Sequence, residues 1–129
     1  MARTERPTDE MNASLLVLPA SPVIWAAHFL LCYVTAAVWC AKAGTSLQSL
    51  DTVRWGIAAY TVVALAGIAV VARAGFRAHT LASPPSPHDV DSPESRHGFL
   101  GFAALILSGL SAVAVCYTAL AAVFIGSCE

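Results

Sequence analysis

His28 is the side chain with the clearest chemical potential, because it lies within a long apolar stretch where an ionisable group is costly. Cys32 follows at a spacing of four, so a helix would carry the imidazole and the thiol on one face. An imidazole and a soft sulfur suit copper, and an imidazole is also a common axial ligand of haem. These residue types make His28 a candidate cofactor-binding residue, and His28 with Cys32 a candidate metal site.

A structural role for His28 competes with metal binding. His28 and Cys32 form an incomplete coordination shell, and no other histidine or methionine lies within the apolar stretches. A neutral imidazole can instead be hydrogen-bonded between helices, and counting from the midpoints of the first and third stretches puts Ser108 at the depth of His28. We favour this structural interpretation, in which the chain holds no cofactor, and keep copper or haem as the alternative.

Three apolar stretches must position these side chains: residues 22–43, 53–74 and 98–125. Each is long enough to cross a hydrocarbon layer of about 30 Å as a helix. Hydrophobic residues make up 57% of the 129 positions and charged residues 12%, whereas a soluble domain would be nearer a quarter charged. The sequence therefore predicts an all-α fold, an integral membrane three-helix bundle.

The segments between these stretches are expected to be unstructured. Residues 1–21 are predicted to form a flexible tail with a short interfacial apolar patch that Pro19 ends. Residues 78–97 are rich in proline and serine, which indicates a disordered loop, and Gly75 is expected to mark the end of the second helix. Residues 126–129 complete the chain as a short C-terminal tail.

Lysine and arginine predict the orientation of the three helices. Five of the seven basic residues lie in the N-terminal tail and around the Pro/Ser-rich loop, and the other two, Lys42 and Arg54, flank the first loop. This distribution places the N-terminus and the Pro/Ser-rich loop in the cytoplasm, and the first loop and the C-terminus on the outer side. The first and third helices are then parallel.

Small residues at every fourth position predict that the parallel first and third helices pack closely. The set comprises Ala36 on the first helix and Ala104, Ser108, Ala112 and Cys116 on the third.

Cys40 and Cys128 form a candidate structural disulfide. In the predicted orientation both lie at the outer membrane face, where an oxidising compartment permits the bond. The bond would close a long loop and tie the first helix to the end of the chain. The other interpretation is two separate thiols, as we expect for Cys32 and Cys116 in the middle of the membrane.

A family resemblance rests on residues across all three predicted helices: Trp25, His28, Phe29, Tyr33, Cys40, Lys42, Arg54, Arg96, Phe99, Gly109, Tyr117 and Cys128. The pattern resembles a family of uncharacterised small three-span inner-membrane proteins of Gram-negative bacteria. The genes of that family often lie beside those of a haem–copper cytochrome oxidase. The resemblance implies a location in a bacterial inner membrane and an accessory or assembly role for the oxidase.

The composition restricts the function classes further. A net charge of −1 argues against nucleic acid as a partner, since binding phosphates requires a basic face. The three apolar stretches leave no room for a soluble catalytic domain, and no phosphate loop, nucleophile elbow or paired-carboxylate motif occurs. We predict a non-catalytic multi-pass membrane protein whose partners are membrane lipid and respiratory oxidase subunits, with the oligomeric state left open.

Overall fold

The protein folds as three long helices in a computed structural model: α1 (Pro7–Ala43), α2 (Asp51–Leu81) and α3 (Pro93–Phe124). The structure describes the backbone of residues 7–43, 51–81 and 93–124 and the side chains of residues 16–42, 51–81 and 98–124. Every described residue is helical. The segments Leu16–Lys42, Asp51–Leu81 and Gly98–Phe124 are long and apolar enough to span a membrane, which confirms the predicted all-α three-helix membrane fold.

Helix α1 begins well before the predicted first span. It starts at Pro7 and continues through Pro19 and Pro22, so the expected flexible tail is wrong for residues 7–21 and Pro19 does not end an apolar patch. A proline removes one backbone hydrogen bond, but membrane helices tolerate this loss when neighbouring groups satisfy the freed carbonyl. Residues 1–6 lie outside the described part of the chain.

The Pro/Ser-rich loop is shorter than predicted at both ends. Helix α2 continues to Leu81 and helix α3 starts at Pro93, where a proline suits the first helical turn. Residues 78–81 and 93–97 are therefore helical, and the predicted disorder of residues 82–92 lies outside the described residues. Gly75 does not end α2 but lies buried within it. The predictions for residues 125 and 126–129 also fall outside the described part.

A seven-residue spacing relates buried positions on each of the three helices. On α3 the buried residues are Gly101, Ala104, Ser108, Ser111 and Val115. On α2 they are Ile57, Ala64, Ile68 and Gly75, and on α1 Ser21, His28 and Cys32. Steps of three, four and seven keep a residue on the same helix face, which is the packing of left-handed helical bundles. Helix α3 packs against both neighbours, more extensively against α2.

Ala36 and Cys116 are exposed, which corrects their predicted place in the interface between the helices. Four residues turn a helix by about 400°, so each strict step of four rotates the stripe by about 40°. After three such steps Cys116 lies about 120° around α3 from Ala104. Ala104 and Ser108 are buried as expected, and Ala112 is half-buried against the apolar core of Ala64, Ile68 and Val115.

Helices α2 and α3 approach each other closely at Gly75 and Gly101. A Cβ atom added to Gly101 would lie 2.8 Å from the carbonyl oxygen of Gly75 and 2.8 Å from the backbone nitrogen of His79. One turn further along α2, His79 donates from Nδ1 to the carbonyl oxygen of Gly98 at 3.3 Å, and its ring lies 5.7 Å from that of Phe102. The contact is therefore between two backbones, as small residues permit in membrane helices.

The close contact predicts that Gly101→Ala lowers the stability of the bundle. The added methyl group would meet backbone atoms that cannot move aside, and overpacking of this kind costs about 1–3 kcal/mol. Gly109→Ala is the matched control on the same helix, since a Cβ atom added there would meet no described atom within 4 Å apart from the nearby backbone of α3 itself. Thermal unfolding in one detergent should show a lower midpoint for Gly101→Ala alone. Equal midpoints for the two variants would contradict the close approach.

Candidate functional site

His28 lies inside the bundle and hydrogen-bonds to a threonine on the neighbouring helix. Its side chain is 2% exposed, and its Nε2 atom lies 3.1 Å from Oγ1 of Thr61 on α2. His28 follows buried Ser21 by seven residues, or two helical turns, so the two side chains lie on the same face of α1. The predicted partner Ser108 is not the one observed, so the depth estimate from span midpoints was wrong.

The hydroxyl of Thr61 fixes the direction of this hydrogen bond. Thr61 Oγ1 donates its single proton to the carbonyl oxygen of Ile57 at 2.8 Å, one turn earlier on α2. The threonine oxygen can then only accept, so His28 donates from Nε2. This assigns the neutral tautomer with its proton on Nε2, and a neutral ring is also what burial in an apolar layer favours.

Cys32 is the second group that contacts the imidazole. Its Sγ atom lies 3.5 Å from Nε2 of His28, and the thiol is buried and free. Because Nε2 carries the proton, its N–H group forms a bifurcated hydrogen bond in which the sulfur is the weaker acceptor. The predicted neighbourhood of His28 and Cys32 is therefore present, as a hydrogen-bonded group that extends to Thr61 on α2.

The other imidazole nitrogen has no hydrogen-bond partner in the part of the chain that the structure describes. Nδ1 of His28 is buried, and no described donor lies within hydrogen-bond distance of it. An unsatisfied buried acceptor is costly, and in membrane proteins such groups are rare. The imidazole thus uses one nitrogen to join α1 to α2, and its other nitrogen keeps a buried lone pair.

Ser21 and Ser108 form a second polar contact, between α1 and α3. Their Oγ atoms lie 2.8 Å apart, and Ser108 donates its own proton to the carbonyl oxygen of Ala104 at 2.7 Å. Ser21 must therefore donate to Ser108. The role of Ser21 was missed because we placed it in the unstructured tail, although its spacing of seven from His28 is the signal that could have identified it.

The cysteines divide into two groups. Cys32 and Cys116 are free thiols, the first buried and the second exposed on the outside of the bundle. Cys40 lies near the end of α1, and Cys128 lies outside the described residues. The Cys40–Cys128 disulfide therefore stays a prediction.

Metal binding at His28 and Cys32 meets two chemical obstacles. Among the described residues no group of three histidine, cysteine, aspartate or glutamate side chains could hold a metal ion. A metal at Nε2 would also need the lone pair that this tautomer replaces with a proton, so the bond to Thr61 would have to break. The arrangement as it stands joins helices.

Comparison with family models, characterised proteins and solved structures finds no match for this chain. The resemblance to small three-span inner-membrane proteins therefore stays a prediction.

The geometry of His28 predicts which substitutions preserve its hydrogen bond. The amide nitrogen of glutamine reaches the position of the imidazole Nε2, whereas that of asparagine reaches only the position of Nδ1. His28→Gln should keep the bond to Thr61 and the stability of the bundle. His28→Asn should lose about 0.6–2 kcal/mol, the range for hydrogen bonds between membrane helices.

Thr61→Val tests the same bond from the acceptor side. It should cost about as much as His28→Asn, and the two losses should not add in the double variant. Thr118→Val is the matched control, because Thr118 likewise donates to its own helix, at the carbonyl oxygen of Ala114 (2.9 Å). Unfolding of each variant in one detergent measures the differences. Equal losses for Thr61→Val and Thr118→Val would show that the bond contributes nothing.

Proposed function

We propose that this chain is a non-catalytic accessory or assembly component of a larger membrane complex, namely a respiratory terminal oxidase. The support from the structure is the contrast between the inside and the outside of the bundle. Inside the bundle the His28–Thr61 and Ser21–Ser108 hydrogen bonds join one helix to another, whereas α1 presents an aromatic surface to the outside. The choice of an oxidase rests on the family resemblance alone.

An aromatic ladder of Trp25, Phe29 and Tyr33 follows the outer face of α1. Successive ring centroids are 6.4 Å apart, and the three side chains are 37%, 47% and 63% exposed. Aromatic rings supply a large contact area with little loss of conformational entropy, so they are enriched where proteins bind each other. Tyr33 lies near the middle of the span, where lipid offers its hydroxyl no partner and a helix of another protein would.

The proposal places the chain in a bacterial inner membrane, with the N-terminus in the cytoplasm and the C-terminus in the periplasm. The excess of arginine in the N-terminal segment and beside the Pro/Ser-rich loop supports this orientation. It puts Cys40 and Cys128 on the oxidising side, which supports the disulfide.

Co-purification from native membranes tests the proposed function. The wild-type chain should bring down oxidase subunits, and Phe29→Ala with Tyr33→Ala should weaken the association by at least about tenfold, as expected for loss of aromatic anchors. The control is the pair Val63→Ala and Val70→Ala, two exposed apolar residues on the outer face of α2. Oxidase activity should fall in a strain that lacks the chain. Unchanged activity in that strain would contradict the link to the oxidase.

Thiol labelling of denatured, unreduced protein tests the disulfide. Only Cys32 and Cys116 should react, and Cys128→Ser should lower thermal stability in detergent because the closed loop is long. Four labelled cysteines in freshly isolated protein would contradict the bond.

A second candidate function is copper or haem handling at His28 and Cys32. The observation in its favour is the 3.5 Å separation of Nε2 and Sγ. Two ligands at about 2.0 Å and 2.3 Å from a tetrahedral ion would be about that far apart. Copper(I) titration should then show a site that Cys32→Ser removes, and bound haem would give a Soret band that His28→Gln abolishes. Neither signal is expected if the role of His28 is structural.

A further inference from the structure

A groove opens between α2 and α3 at the end of the bundle opposite to the Gly75–Gly101 contact. It has a volume of about 290 Å³. The lining residues are Arg54, Ile57, Ala58, Thr61 and Val62 on α2, and Ala119, Ala122 and Val123 on α3. The two helices are in backbone contact at one end, and at the other end small side chains leave this groove between them.

The walls of the groove are almost entirely apolar. The small side chains of Ala58, Ala119 and Ala122 create its width, and the described polar group at its inner end is the hydroxyl of Thr61. That hydroxyl already donates its proton to the carbonyl oxygen of Ile57 and accepts from His28, so it has no proton to give to a polar ligand. The interior of the groove therefore suits a hydrocarbon chain.

The outer end of the groove carries a positive charge. Arg54 lies in the first turn of α2, and the lining extends from there to Val62, about 12 Å along the helix axis. Trp55 is exposed beside it, as is usual for aromatic residues at the membrane surface. The groove thus runs from the surface through most of one leaflet, whose hydrocarbon part is about 15 Å deep.

We propose that this groove binds one anionic phospholipid, with an acyl chain along the alanine-lined wall and the phosphate at Arg54. Charge complementarity selects this occupant. A guanidinium group forms paired, charge-assisted hydrogen bonds with a phosphate, and it can remain at the surface while its methylene groups cover apolar neighbours. Asp51 is an exposed carboxylate one turn earlier on the same helix, and because a surface ion pair is weak, it leaves Arg54 open to a phosphate.

Native mass spectrometry of the full chain in detergent tests the headgroup contact. Phosphatidylglycerol should be retained about tenfold better than phosphatidylcholine with the same acyl chains, as expected for a charge-assisted contact. Arg54→Gln should abolish this preference and Arg54→Lys should keep part of it. Arg73→Gln is the control, because it removes an exposed arginine near the other end of α2. Equal retention of the two lipids, or the same loss in Arg54→Gln and Arg73→Gln, would overturn the proposal.

A second pair of variants tests the acyl-chain contact. Ala122→Phe fills the groove, whereas Ala121→Phe places the same ring on an exposed neighbour that does not line it. Phosphatidylglycerol should be lost from Ala122→Phe only, with both variants folded by circular dichroism. Retention of the lipid by both variants would show that the arginine attracts lipid without a groove, and it would overturn the assignment of the site.

Discussion

The hydrocarbon layer offers no water to a polar side chain, so buried polar groups depend on hydrogen bonds to other protein groups, and in this bundle two such bonds join neighbouring helices. Thr61 and Ser108 each give their only proton to a carbonyl oxygen one turn earlier on their own helix. Both oxygens are then acceptors, and both donors are on α1: His28 for Thr61 and Ser21 for Ser108. Helix α1 is thereby bonded to α2 and to α3 at points seven residues apart, which fixes its depth relative to both.

Helices α2 and α3 are held differently, by the close approach of their backbones. Gly101 leaves no room for a side chain at one end of the pair, and a Cβ atom added to Gly75 would lie 3.1 Å from the carbonyl oxygen of Gly101. At the other end the alanine-lined groove separates the same two helices. This groove leaves space in the leaflet near the start of α2. The aromatic ladder of α1, on a different helix, is the surface that we propose for a protein partner.

The fold class followed from the sequence because apolar length and low charge are sufficient to predict membrane helices. The residues that form the contacts between helices did not follow from the sequence. We placed small residues at strict steps of four, whereas the buried positions are separated by steps of three, four and seven. That difference moves Ala36 and Cys116 to the outside and brings Ser21 inside. The helix start was also wrong, since a proline such as Pro19 limits a helix in water more than in a membrane bundle.

The partner of His28 could not be predicted from spacing along α1. It depends on the tilt and depth of α2, which are set by contacts far away along the chain, such as that of Gly75 with Gly101. The hydrogen-bonded chain from His28 through Thr61 to Ile57 is therefore visible only in three dimensions. The sequence of one helix identifies a candidate residue such as His28, but the packing of the neighbouring helices determines whether that residue binds a metal or a second helix.

The imidazole nitrogens of His28 provide the most direct test of this account. Nuclear magnetic resonance of nitrogen-labelled protein in lipid, with His28→Gln used to identify the signals, reports which ring nitrogen carries the proton. The structure requires a proton on Nε2 and a bare Nδ1 that stays neutral. A proton on Nδ1, or a doubly protonated ring, would contradict the claim that His28 donates to Thr61 and joins α1 to α2.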